Sequence, residues 1–180
     1  KYLFPGGEEK SVDRIFNHLT EAHPMHRCFF DSAAWKSEGA PNAFGQVKRL
    51  FYNRESRAAF EQALDSTGAE AALFHNIYPV GSPSLYHAAM KRRVPVIQYL
   101  HNFRPFSVGG TLFVNGKVCP DGLYGRDLAE VRAGVWQSSV LKSAVFATML
   151  RFLRRSGWLR SVKAWIAISD FMRDRIVQAG

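Results

Sequence analysis

The chain has 180 residues, with 47% apolar and 22% charged side chains and a formal net charge of +9. That length supports one sizeable hydrophobic core, in ordinary globular proportions. No run of about 18 uncharged apolar residues is present to span a membrane. Cys28 and Cys119 are the only cysteines; they argue against a disulfide scaffold and favour a reducing compartment. They also supply too few thiolates for a structural zinc site. The positive charge favours an anionic partner: nucleic acid, a phosphorylated substrate or an acidic membrane surface.

Residues 1–10 read as a loop around Pro5-Gly-Gly. Ser11 is placed to cap a helix in which Val12, Ile15, Phe16 and Leu19 fall at helical spacing. The apolar run 27–30 predicts a short strand, and the polar, turn-rich segment 31–47 a loop. Residues 54–64 have the pattern of an amphipathic helix, ended by Gly68. A strand over 71–74 follows, then a helix over 84–92 entered through Ser82-Pro83. The next strand covers 94–100, with Pro95 at its start, where a missing donor costs least.

Residues 103–134 form a long glycine-rich excursion, with a hairpin turning at Asn115-Gly116. A long helix is predicted over 136–155 and a third strand over 164–168. Ser169 and Asp170 can cap a last helix over 171–179. This alternation predicts an α/β fold with a parallel sheet. The opening on Lys1 and the glycine at position 180 read as cuts in a longer protein, with the first strand either missing or left as a remnant over residues 1–4.

The first two sheet strands end in the same dipeptide, His75-Asn76 and His101-Asn102. A strand–helix–strand unit of this kind is right-handed with parallel strands. Ligands of open parallel sheets bind at the carboxyl ends of the strands. Polar pairs at two neighbouring strand ends therefore mark a candidate site, although His and Asn also serve as plain loop residues. A second feature is the stretch 142–163, with Lys142, Arg151, Arg154, Arg155, Arg160 and Lys163 and no acid. Clustered with Trp158, these cations predict contact with an anionic membrane surface. The competing reading is a solvated helix face.

The motif order is informative as a whole. Pro5-Gly-Gly-Glu8, Phe74-His-Asn-Ile-Tyr-Pro-Val-Gly-Ser-Pro-Ser84, Gln98-Tyr-Leu-His-Asn-Phe-Arg-Pro105, Gly110-Thr-Leu-Phe-Val-Asn-Gly-Lys-Val-Cys119 and Trp165-Ile-Ala-Ile-Ser-Asp-Phe-Met-Arg173 follow in turn. Together they resemble the N-terminal domain of a GT-B glycosyltransferase of family 4, the retaining glycosyltransferase group 1 type, over nearly the whole chain. The resemblance implies a Rossmann-like open parallel sheet with helices on both faces. Residues 1–180 would be the acceptor-side domain, and a donor-binding domain would lie outside this chain. The implied activity is sugar transfer from a nucleotide-sugar donor to a glycan or lipid-linked acceptor in polysaccharide biosynthesis. No metal or other cofactor is implied, and no nucleic-acid partner. The implied location is cytoplasmic, extending to the inner face of the plasma membrane.

By the same resemblance, Gly6, Gly7 and Glu8 form a donor-phosphate loop, where glycines let backbone N–H groups approach an anion. His101 is the catalytic candidate, lying beside the transferred sugar and hydrogen-bonding its hydroxyls. His75, Asn76, Tyr78, Ser82, Asn102 and Arg104 line the acceptor side. Ser169 lies near the donor cleft, though helix capping is its first reading. Asn102 stands where many relatives have an acid, and Gly122 where many have a second cysteine. That departure removes a two-cysteine metal or redox reading for Cys119. Two rival readings share the fold: a nucleic-acid-binding domain and a non-catalytic membrane-binding module. No nucleic-acid recognition motif supports the first.

Overall fold

A computed structural model describes residues 7–35 and 37–179 of the chain. Its first helix, α1 (Gly7–Thr20), begins four residues before the predicted cap, so Ser11 lies inside it. Glu8 and Glu9 occupy the first turn, where negative charge complements the exposed N–H groups. The predicted strand over 27–30 is instead irregular chain. Arg27 anchors that segment to α1, donating to Asp13 at 2.6 Å and lying 3.7 Å over the Phe16 ring. An apolar run becomes a strand only where a sheet edge offers its ladder, and here a helix surface is the neighbour.

The predicted loop over 31–47 contains the start of a helix, α2 (Ala43–Phe51). Asn42 caps it, accepting from Gly45 N–H at 2.9 Å. Helix α3 (Arg54–Thr67) starts on Asn53, whose Oδ1 accepts from the N–H groups of Glu55 and Ser56. Gly68 ends it at φ 62°, a left-handed cap that glycine adopts without cost.

Strand β1 (Ala72–Phe74), helix α4 (Ser84–Arg92) and strand β2 (Val96–Leu100) form the expected unit, with β1 and β2 parallel. Strands β3 (Phe113–Val114) and β4 (Lys117–Val118) make the small hairpin, turning on Asn115 and Gly116 at positive φ. A 3-10 turn over Pro120–Tyr124 and the short helix α5 (Leu128–Arg132) complete the excursion. Helix α6 (Val140–Ser156) starts four residues later than predicted. Gln137 and Ser138 break the chain at φ 52°, and Ser139 then caps the helix. Strand β5 (Val162–Ala167) pairs parallel with β2, and α7 (Asp170–Ala179) follows.

The result is an α/β fold with a three-stranded parallel sheet of order β1-β2-β5, flanked by helices. Ala72, Phe74, Val96 and Gln98 turn to one face. There the apolar ones join a buried cluster with Phe60 and Leu64 of α3, Leu85 and Tyr86 of α4, and Phe146, Met149 and Leu150 of α6. Leu100 extends this face into a second cluster with Phe103, Leu112, Leu123 and Met172. The alternate residues Leu73, Ile97 and Tyr99 are half-buried, and Ile166 beside them is 41% exposed. Burial alternates along β1 and β2, so one face of these two strands is packed more deeply than the other, while β5 is largely exposed. The helix-flanked parallel sheet is compatible with a Rossmann-like arrangement.

Candidate functional site

The register fixes the geometry of the site. Phe74 pairs with Gln98, so His75 emerges from β1 beside Tyr99, and His101 emerges from β2 two residues further on. Side chains alternate along a strand, which puts His75, Tyr99 and His101 on the same, more open face. Their rings cluster: His75–Tyr99 centroids are 5.5 Å apart, His75–His101 5.1 Å and Tyr99–His101 4.8 Å. His75 Nδ1 and His101 Nε2 share a hydrogen bond of 2.8 Å.

Burial lowers the basicity of both imidazoles. His75 falls to about 4, through burial first and the neighbouring His101 second. His101 is lowered by burial as well. Near pH 7 the pair is therefore neutral, one ring donating and the other accepting.

Gln98 braces this arrangement from the opposite face. Its Nε2 donates to the carbonyls of Phe74 at 3.2 Å and His75 at 2.9 Å, while its Oε1 accepts from Tyr86 Oη–H at 2.6 Å. It is 1% exposed. A buried amide without these partners would cost several kcal/mol, on the order of 2–7. Gln98 thus ties the end of β1 to β2 where the histidines emerge. A polar residue inside the apolar run 96–100 was the sequence signal for it.

Glu8 reaches the same end of the sheet from the first turn of α1. Burial raises its carboxyl pKa; the positive charge of Arg104 and hydrogen bonds from the side chain and backbone of Asn76 oppose that rise. Glu8, Asn76 and Arg104, three of the sequence candidates, are therefore neighbours. Among the described residues, nothing lies within 4 Å of a Cβ added at Gly7. Gly6 lies outside the described residues.

Asn102 forms a local turn, its Oδ1 accepting from Arg104 N–H at 2.9 Å. The Arg104 guanidinium sits 4.6 Å over the Trp136 ring. The loop after Asn102 folds on itself, with Phe103 N–H bonded to Gly110 C=O at 2.9 Å. From α5, buried Glu130 stitches it: Oε1 accepts from Ser107 Oγ–H at 2.6 Å and Gly109 N–H at 3.1 Å, and Oε2 from Val108 N–H at 3.0 Å. Nothing local in the sequence pointed to Glu130, which lies 20 or more residues from its partners.

Gly122 packs against this clamp. A Cβ there would lie 2.5 Å from Glu130 Oε2 and 3.1 Å from Ser107 Cβ, so the position has no room for a cysteine side chain. Cys119 is half-buried, its N–H bonded to the Leu112 carbonyl at 2.8 Å.

Two candidates sit elsewhere. Tyr78 is buried and packs edge-on against Phe146, 5.8 Å between centroids. Burial, then the adjacent Tyr86, raises the pKa of its hydroxyl. Ser82 is fully buried at φ 61°, its Oγ accepting from Asn53 N–H at 3.0 Å and bonded to Ser84 Oγ at 2.8 Å. Both belong to the turn that launches α4, and neither presents its side chain at the strand ends. Ser169 is exposed and accepts from Met172 N–H at 3.2 Å, which is the capping role.

The basic stretch is not acid-free in space. Buried Asp127 pairs with Arg151 at 3.2 Å and Arg154 at 3.8 Å. Arg154 also donates to the carbonyls of Phe106 and Gly122. Trp158 stacks on His87, 4.7 Å between centroids, and meets Phe152 edge-on. Lys142, Arg151, Arg155, Arg160 and Lys163 are the exposed cations of the stretch, and of these Arg151 is the one held by Asp127.

Among the described residues no three His, Cys, Asp or Glu side chains gather to hold a metal, and no helix is long and apolar enough to cross a membrane. No family model matches the chain, and no curated protein or solved structure matches it either. What the strand ends offer is a carboxyl, a carboxamide, two neutral imidazoles and a guanidinium. This is a hydrogen-bonding set suited to hydroxyl-rich ligands carrying negative charge.

Proposed function

We propose that this chain is the acceptor-side part of a retaining glycosyltransferase, moving a sugar from a nucleotide-sugar donor to a glycan or lipid-linked acceptor. One observation carries the reading: His75, Asn76, His101, Arg104 and Glu8 converge at the carboxyl ends of β1 and β2, where an open parallel sheet binds ligands. The motif order along the sequence supports it. His101 lies beside the transferred sugar and hydrogen-bonds its hydroxyls. Its lowered basicity suits a neutral partner better than a permanent cation. Asn76 and Glu8 orient hydroxyls, and Arg104 meets an anionic group. In transfer with retention, the departing phosphate oxygen takes the acceptor proton on the same sugar face, so no residue here has to act as the base. The exposed Lys142, Arg155, Arg160 and Lys163 would hold the enzyme near an anionic leaflet that presents a lipid-linked acceptor.

The test is a transfer assay on the full-length protein with a panel of nucleotide sugars, read by mass spectrometry. Turnover is expected with at least one donor. The His101→Ala variant should fall at least about tenfold, roughly 1.4 kcal/mol of barrier, with an unchanged unfolding midpoint. Failure to bind or turn over any nucleotide sugar would overturn the proposal.

A further inference from the structure

The bond between His75 and His101 uses different atoms on its two rings, and that asymmetry has a chemical consequence. His75 contributes Nδ1 and His101 contributes Nε2, 2.8 Å apart. A neutral imidazole carries one proton, on either nitrogen, and the hydrogen bond at one nitrogen decides the state of the other. Only two neutral arrangements exist. If His75 donates, both rings must carry their proton on Nδ1. If His101 donates, both carry it on Nε2, the form that a free neutral imidazole prefers. The second arrangement satisfies the intrinsic preference of both rings at once.

We propose that His75 is a positioning residue that holds His101 in the Nε2–H tautomer, so that His101 meets a ligand through an unprotonated Nδ1 and acts there as a hydrogen-bond acceptor. The function of that acceptor rests on the glycosyltransferase reading: it would take a hydrogen bond from a sugar hydroxyl, and it would not donate to a phosphate. The bond is supported on each side. Gln98 grips the His75 carbonyl at 2.9 Å, fixing the origin of that side chain. The Tyr99 ring lies against both imidazoles and limits their rotation. At this end of the sheet Glu8 and Arg104 are of opposite sign, and the Arg104 charge acts on the Glu8 carboxyl.

The test needs no enzymatic activity, so it separates this inference from the functional reading. The full-length protein is labelled with nitrogen-15 in its histidines, and long-range proton–nitrogen spectra near pH 7 identify the bare and protonated ring nitrogens. His101 is assigned by its loss in His101→Ala. Expected in the native protein is one sharp pattern for His101, with Nε2 protonated and Nδ1 bare. In His75→Phe, which keeps a flat ring without a nitrogen, His101 should relax to the averaged pattern of a free imidazole. In His75→Asn, whose side-chain oxygen falls close to the place of Nδ1, the native pattern should return. His87, remote from the site, reports on the fold and should keep its native signals in both variants. Protonation of His101 on Nδ1 in the native protein would overturn the inference. So would a His101 pattern unchanged in His75→Phe, or loss of the pattern in His75→Asn with His87 unperturbed.

Discussion

Replacing Glu130 by Gln perturbs one atom of the loop clamp and leaves its shape. The carboxylate is 1% exposed and accepts three hydrogen bonds, from Ser107 Oγ–H, Val108 N–H and Gly109 N–H. Gln keeps one oxygen, which can retain the two bonds made by Oε1. Its NH₂ group then faces the Val108 N–H, donor against donor. A hydrogen bond to a charged group contributes about 1.5–3 kcal/mol, and an unsatisfied buried donor costs about 1–3 kcal/mol. Losing one bond and weakening two gives an expected destabilisation of about 2–4 kcal/mol. The loss should concentrate in the 103–110 loop, because the strands have their own ladder. Urea unfolding measures the total, and amide exchange locates it. Val108 and Gly109 should lose protection by more than the β2 amides do. Gly122→Ala should mimic the defect from the other side, since its Cβ would press on Oε2 at 2.5 Å. A Glu130→Gln protein with native midpoint and native Val108 exchange would refute the clamp.

Two further outcomes follow from the same physics. Gln98→Leu should cost about 2–4 kcal/mol of stability in chemical denaturation, because it leaves the buried Tyr86 hydroxyl and two strand-end carbonyls without their partner; a neutral effect would mean that the strand end is held by its ladder alone. His75, lowered from 6.5 to about 4, binds its proton more weakly folded than unfolded, so its contribution to stability is complete above pH 6.5 and is lost as pH falls towards 4. That loss is on the order of 2–3 kcal/mol, read as a fall in the urea midpoint that His75→Asn should remove; an identical pH profile in the variant would refute the assignment.

The sequence made β1, α4, β2, the hairpin and β5 legible because each is specified locally. Apolar runs bounded by Pro, Gly or Asn leave few alternatives. Gly68 and Asn115-Gly116 worked as punctuation because their positive φ is a backbone demand that few residues meet. The misreadings were tertiary. Residues 27–30 look like a strand until Arg27 finds Asp13 and Phe16 on α1. Ser11 looks like a cap, but Glu8 and Glu9 begin the helix earlier. The acid-free run 142–163 reads as a cationic surface, yet Asp127, outside the run, pairs with two of its arginines.

The site divides along the same line. The strand-end rule needs only the order of elements, so it found His75 and His101. Tyr78 and Ser82 were grouped with them by the resemblance of motifs, which does not show that the turn before α4 draws both side chains inward. The residues that hold the histidines and the neighbouring loop in place, Gln98 and Glu130, satisfy backbone groups of segments that are distant in sequence. A buried amide or carboxylate is tolerable only when such partners exist. A polar residue within an apolar run, Gln98 in β2, is therefore a sequence position from which the support of a candidate strand-end site can be read, whereas Glu130 carries no such local signal. The histidines themselves mark only where the site lies.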